Sequence, residues 1–354
     1  MDRRTFIAAA VVSPAFFRPG PNADFAQAAE QTPVDGWRRF EITTKVALLN
    51  SSGRARLWLP LAQTAAGYQT AISLNWQGNG ETELLRDSTY GSLLLSSAWN
   101  EGAGAQNLEV RQTVATCDRS ALPTVPMSVA ERQFWLAPRE SAPTDGIVRA
   151  TVERIVAGRT APRDRLRAIY DWVVDTTWRN PDTPGCGFGD IRAMLEVENF
   201  GGKCADINGL MVGLARAAGI PARDVYGIRV ADSRLYPSLG KSGDISRAQH
   251  CRAEAYLEED GWFPVDPADV RKVVLEQKLA VDSPEVRNLR ERLFGNWEMN
   301  WVGYNSATDI ELPGTGQQRP NFSFLMYPVA FTTAGQLNAL DPARFKYEII
   351  SKQL

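Results

Sequence analysis

Four residues of this chain have the types and spacing for nucleophilic chemistry: Cys204, His250, Asp266 and Asp269. Cys204 follows Gly201-Gly202-Lys203 and opens a run in which Ile207, Leu210, Met211, Leu214 and Ala218 recur at helical spacing as one apolar stripe. Gly219 suits the left-handed residue after a helix, and Pro221 prevents continuation. The thiol therefore falls in the first turn of a predicted helix. Unpaired N–H groups and the helix dipole there favour an anion, which lowers a thiol's pKa. The two glycines allow a sharp turn that leaves the sulfur uncovered.

A thiol nucleophile needs a base within hydrogen-bond reach, and the base needs an acceptor to hold its tautomer. His250 is the only histidine, so an imidazole base must be this one, and a metal site built on several imidazoles is excluded. A lone histidine is more often structural; its position 46 residues after Cys204, opening a predicted strand to Leu257, is what singles it out. Glu258-Glu259-Asp260-Gly261 reads as a hairpin turn, and Trp262 to Asp266 as the returning strand. A four-residue turn pairs His250 with Asp269 and leaves Asp266 ~10 Å further along, at 3.3 Å per residue. Spacing alone leaves both carboxylates open for the orienting role.

The elements that must position these residues follow from the rest of the chain. Of 354 residues, 44% are apolar and 23% charged, enough for roughly two globular domains. The formal charge of −2 gives no sign of a nucleic-acid partner. No apolar run is long enough for a transmembrane helix, so no stable membrane insertion is expected. Residues 1–28 read as an export signal: Arg3-Arg4-x-Phe6-Ile7 resembles the twin-arginine type, and Ala26-Gln27-Ala28 is a cleavage candidate, although Asp2 and Ala8 depart from that pattern. A periplasmic or otherwise exported location is expected. Period-2 alternation (Phe40, Ile42, Thr44, Val46, Leu48; Ile72, Leu74, Trp76) predicts a small β-sandwich over 33–120. Residues 121–145, with four prolines and little periodicity, read as a linker, 146–275 as the core, and 276–354 as an extension completing the core or the domain contact. Four cysteines (Cys117, Cys186, Cys204, Cys251) without a C-x-x-C pair exclude a disulfide scaffold and a zinc knuckle. Gly240-Lys241-Ser242 lacks the upstream glycine of a phosphate-binding loop, since residue 235 is Leu235.

Gly-Gly-Lys-Cys204, the helix ending Ala-Gly-Ile-Pro-Ala-Arg223, His250 opening a strand, and Gly-Trp-Phe-Pro-Val-Asp266-Pro267 together resemble the bacterial transglutaminase-like superfamily. The resemblance implies a papain-like α+β fold, with the cysteine helix packed on an antiparallel sheet behind a small β-sandwich. It makes Cys204 the nucleophile, His250 the base and Asp266, rather than Asp269, the orienting carboxylate. An oxyanion-stabilising indole, as in animal members, has Trp178 and Trp172 as candidates. No cofactor or metal is implied. The expected substrate is a protein or peptide amide, more readily hydrolysed than cross-linked; a non-catalytic binding or assembly protein is the contrasting reading. A redox pairing of Cys204 with Cys186 or Cys251 is a third, with Cys251 disfavoured because it alternates to the other face of the strand from His250. Oligomeric state is not readable.

Overall fold

A computed structural model describes residues 36–49, 53–121, 124–314 and 321–354. The expected export segment, 1–28, lies outside the described residues. The alternating stretch forms strands β1 (Arg38–Leu48), β2 (Ala55–Pro60), β3 (Gln69–Gly78), β4 (Glu81–Arg86), β5 (Leu93–Trp99) and β6 (Gln106–Thr116). In β6, Leu108, Val110 and Val114 are buried while Glu109 and Arg111 face outward, the pattern of a strand with one face in a core.

Residues read as a featureless linker contain helix α1 (Val129–Leu136). Ser128 and Glu131 close a reciprocal capping box at its start, and none of its residues is buried, so no apolar stripe betrayed it. Helices α2 (Gly146–Ile155) and α3 (Pro162–Thr176) follow, then β7 (Trp178–Arg179), α4 (Ile191–Glu196), β8 (Gly201–Gly202) and α5 (Cys204–Ala217). Every residue of α5 is buried, because it lies between a sheet on one side and α2, α3 and α4 on the other. Its Ile207, Leu210, Met211 and Leu214 are each at most 1% exposed, a contribution of ~1.5–3 kcal/mol apiece.

That sheet is built from β9 (Ala222–Arg229), then, after the edge strand β10 (Gly243–Asp244), from β11 (Gln249–Leu257) and β12 (Gly261–Val265). Leu257 pairs with Gly261 and Ala253 with Val265, so the turn is one residue tighter than expected and the register shifts accordingly. The return strand also ends sooner: Asp266 caps helix α6 (Pro267–Glu276). Asp-Pro is a helix-start signal, and it carries Asp269 off the strand into the first helical turn. Helix α7 (Pro284–Arg292), capped by Ser283, precedes β13 (Trp301–Asn305), which completes the antiparallel order β12-β11-β9-β13.

The remaining strands are β14 (Thr308–Glu311), β15 (Asn321–Phe324), β16 (Val329–Thr332), β17 (Gly335–Leu337) and β18 (Phe345–Gln353). The last three enter the sandwich, whose sheets are β10-β18-β1-β6-β3 and β17-β16-β2-β5-β4. Residues 33–120 therefore do not close the sandwich alone. The chain is an α+β fold, with an antiparallel two-sheet region ahead of the core and completed from behind it.

Candidate active site

The start of α5 is built by a loop folded onto it. Lys203 is the N-cap residue, and the Asp206 carboxylate accepts from the N–H groups of Lys203 (2.9 Å), Phe188 (2.8 Å) and Gly189 (2.9 Å). Gly187 has φ +103°, and a Cβ there would lie 1.9 Å from Asp206 Oδ2, so both conformation and space require glycine. The Cys186 carbonyl takes the N–H of Ala205 at 2.9 Å. The first helical N–H, that of Cys204, has no intrahelical acceptor by helix geometry. Cys204 itself is 1% exposed, at the base of a cleft of about 790 Å³ that it shares with His250.

His250 pairs with Gly227 on the neighbouring strand β9. A Cβ at Gly227 would meet the Val302 carbonyl at 2.1 Å and the Trp301 ring at 2.6 Å. The glycine thus lets the Trp301 indole lie across the sheet and donate its Nε1–H to the His250 carbonyl at 2.8 Å. His250 Nε2 lies 2.8 Å from Asp266 Oδ2 and 3.4 Å from Asp269 Oδ1, so both sequence candidates reach the same nitrogen. The other Asp266 oxygen, Oδ1, accepts from the Asp269 N–H (3.1 Å) and Asn208 Nδ2 (3.2 Å), while Arg252 Nε lies 3.5 Å from the Oδ2 that faces His250. Asp269 is paired with Arg229 at 2.5 Å.

Asn208, Arg229 and Arg252 were not singled out by sequence. Asn208 lies one turn beyond Cys204; it also donates to the Cys251 carbonyl at 2.9 Å and accepts from the Ala268 N–H at 3.2 Å. It fastens α5 to β11 and to the start of α6. The i, i+4 spacing from Cys204 was a usable signal for it. The two arginines lie on adjacent strands, and only the sheet register brings them to the carboxylates.

These contacts set the charges. The Cys204 thiol is held well below a free thiol, first by Cys186 and Cys251 and then by the His250 imidazole, against the opposing effect of burial. Burial and Arg229 push His250 down, but Asp269 and Asp266 together outweigh them and raise it. Burial and the neighbouring Asp269 push Asp266 up. Burial also opposes ionisation of Asp269, but Arg229 and His250 prevail and hold it low. Burial lowers Arg252 to about 10.

All four cysteines are free, and Cys251 interacts with Cys204 despite its alternation from His250. Helix α5 packs along β11, so alternation on the strand does not keep Cys251 from the thiol. Neither tryptophan borders the cleft: Trp172 packs edge-on against Phe200 at 5.7 Å, and the half-exposed Trp178 covers Gly201. His250, Asp266 and Asp269 offer donor atoms within 4.8 Å of one another, a possible metal set. Arg229 and Arg252 already supply its positive charge, and a cation there would meet their repulsion.

The fold and the cluster define a class: an α+β core carrying a thiol at a helix start and an imidazole backed by carboxylates. Residues 149–267 match the transglutaminase-like superfamily. An uncharacterized protein of Haemophilus influenzae is 36% identical over 325 residues, covering 86% of this chain and 88% of that one. The chain belongs to the transglutaminase-like superfamily. A candidate cysteine protease of known structure from Cytophaga hutchinsonii aligns over 90% of this chain and 91% of its own, with TM-score 0.54 and 15% identity. At that identity the likeness shows the fold alone.

Proposed function

We propose that this protein is an exported thiol hydrolase of peptide or protein amides, working through a thioester on Cys204. The observation that carries the reading is the shared cleft of Cys204 and His250, with the imidazole's far nitrogen 2.8 Å from Asp266. With Nε2–H given to Asp266, Nδ1 is left for the thiol, and a low thiol beside a raised imidazole favours the thiolate–imidazolium pair. The thiolate attacks the amide carbonyl, and the developing oxyanion has the Cys204 N–H available to it. Imidazolium Nδ1–H protonates the departing amine as the C–N bond breaks. Neutral His250 then takes a proton from water, which attacks the thioester; the S–C bond breaks and the acid leaves. Water as acceptor makes the reaction hydrolytic, and a substrate amine in its place would make it cross-linking.

Cys204→Ala and His250→Ala should each abolish turnover of an activated peptide amide, with mass spectrometry of the wild type finding the acyl group on Cys204. Full turnover in either variant refutes the proposal, and a stable amine adduct of the acyl group in place of the free acid would assign cross-linking instead.

A further inference from the structure

The charges lining the cleft are one-sided. Arg179, Lys203, Lys241, Arg247 and Lys272 all border it, against one carboxylate, Asp244. Arg229 borders it too but is neutralised by Asp269 behind it. Among the described residues, Arg179, Lys203, Lys241 and Arg247 have no carboxylate within ion-pair distance, whereas Arg163, Arg167, Arg223, Arg234 and Arg290 each face one. Lys272 is lowered to about 8, first by burial and then by Arg229 and Arg179, against Asp269 and Glu276, the latter 3.8 Å away. All this occurs in a chain whose formal charge is −2. Uncompensated cations gathered in a concave, half-enclosed space raise the local concentration of anions and speed their capture.

The charged groups come from separate elements that converge only here. Arg179 follows α3, Lys203 immediately precedes the thiol, Lys272 is on α6, and Lys241 and Arg247 flank the edge strand β10. Tyr327, Leu340 and Tyr347 add aromatic and aliphatic surface to the same lining. Tyr327 donates to Cys186 Sγ at 3.0 Å, which ties it to the loop beside Cys204.

We infer that the cleft selects peptides bearing carboxylates next to the amide presented to Cys204, with Lys241, Arg247, Arg179 and Lys203 as the specificity-determining residues. This rests on the thiol-hydrolase reading and specifies its substrate. The carboxylate could be an Asp or Glu side chain or a free peptide C-terminus; the recognising chemistry is the same.

The test needs no knowledge of the natural substrate. Cys204 is alkylated with anionic iodoacetate and with neutral iodoacetamide, and the ratio of the two rate constants is followed. In Lys241→Ser/Arg247→Ser, which changes two exposed side chains, the iodoacetate-to-iodoacetamide ratio should fall about tenfold, the low end of what focused cleft charge gives an association rate. In the wild type the same ratio should fall as salt is raised from 0.01 to 1 M, which shortens the screening length from ~30 to ~3 Å. A ratio indifferent to both the variant and salt, with iodoacetamide still reacting rapidly, overturns the inference and leaves the thiol-hydrolase reading standing. Failure of both reagents to label Cys204 overturns both. In a second arm, peptides with Glu beside the scissile bond are compared with their Gln counterparts, and free C-termini with amidated ones. About tenfold preference for either acid supports the inference and names the source of the carboxylate; no preference for either overturns it.

Discussion

Replacing Asp266 by Asn removes one of two carboxylates facing His250 Nε2 while leaving an isosteric group in place. Asn caps a helix about as well as Asp, so the start of α6 should survive. What is lost is the charge 2.8 Å from the imidazole and 3.5 Å from Arg252. In a site with a single orienting carboxylate, the corresponding Asp→Asn change costs ~10⁴ in kcat, because the imidazole adopts the wrong tautomer. Here Asp269 Oδ1 remains 3.4 Å from the same nitrogen and, held low by Arg229 and His250 against burial, stays ionised. The loss should then be that of one hydrogen bond to a charged group, ~1.5–3 kcal/mol, or roughly 10–150-fold. Asp266→Asn/Asp269→Asn, with no acceptor charge left, should fall to the ~10⁴ loss. The assay is kcat/KM on an activated peptide amide, with circular dichroism to establish folding. Asp269→Asn strands the buried Arg229, so the double variant is compared with both single ones. A ~10⁴ loss from Asp266→Asn alone in a folded protein, or a double variant no worse than that single, would refute the shared-carboxylate reasoning.

Because the Cys204 thiol is lowered, its alkylation by iodoacetamide should decline less from pH 8 to 6 than that of a free thiol, which slows ~100-fold; a decline as steep as the free thiol's would contradict the ion pair. Cys186→Ala removes the largest of the lowering contacts and should move that profile toward higher pH. Asn208→Ala leaves the Cys251 carbonyl and the Ala268 N–H without their partner, and should cost ~2–4 kcal/mol in urea unfolding with little change in m-value. Asp224 is fully buried and raised by that burial to about 7. Its unfolded form loses its proton near pH 4, so the fold loses stability as pH rises from there to the folded value, ~4 kcal/mol in all. Asp224→Asn should therefore stabilise the protein at pH 8 and not at pH 4; equal effects at both would show that the carboxyl is not the cause.

Chemistry was legible where one residue type could serve and local spacing located it. Cys204 declares itself by the glycines before it and the helix after it, and His250 by being the only imidazole. The carboxylates were not legible from pairing arithmetic, because one residue of turn length changes every partner downstream. The strand also stops where Asp266-Pro267 starts a helix, which brings both carboxylates to one nitrogen instead of choosing between them. Arg229 and Arg252 have no local signature, since their partners lie across a sheet register. The sandwich was visible as alternation, but its neighbours β16 and β18 lie hundreds of residues from the strands they join, and no local pattern carries that information.

The pairing of β1 with β18 also constrains how the molecule comes into being. Phe40 to Leu48 align with Phe345 to Gln353, so β1 waits for a neighbour made about 300 residues later. At 5–20 residues per second on the ribosome that is ~15–60 s during which one edge of β1 has no strand to pair with. The same late segment brings Tyr347 and the residues around Leu340, which wall the cleft. The thiol helix and its histidine are synthesised well before there is a walled cleft for a substrate to enter. A growing chain therefore carries Cys204 and His250 before the cleft around them is walled, and both the sandwich and the cleft are completed by the same late stretch of polypeptide.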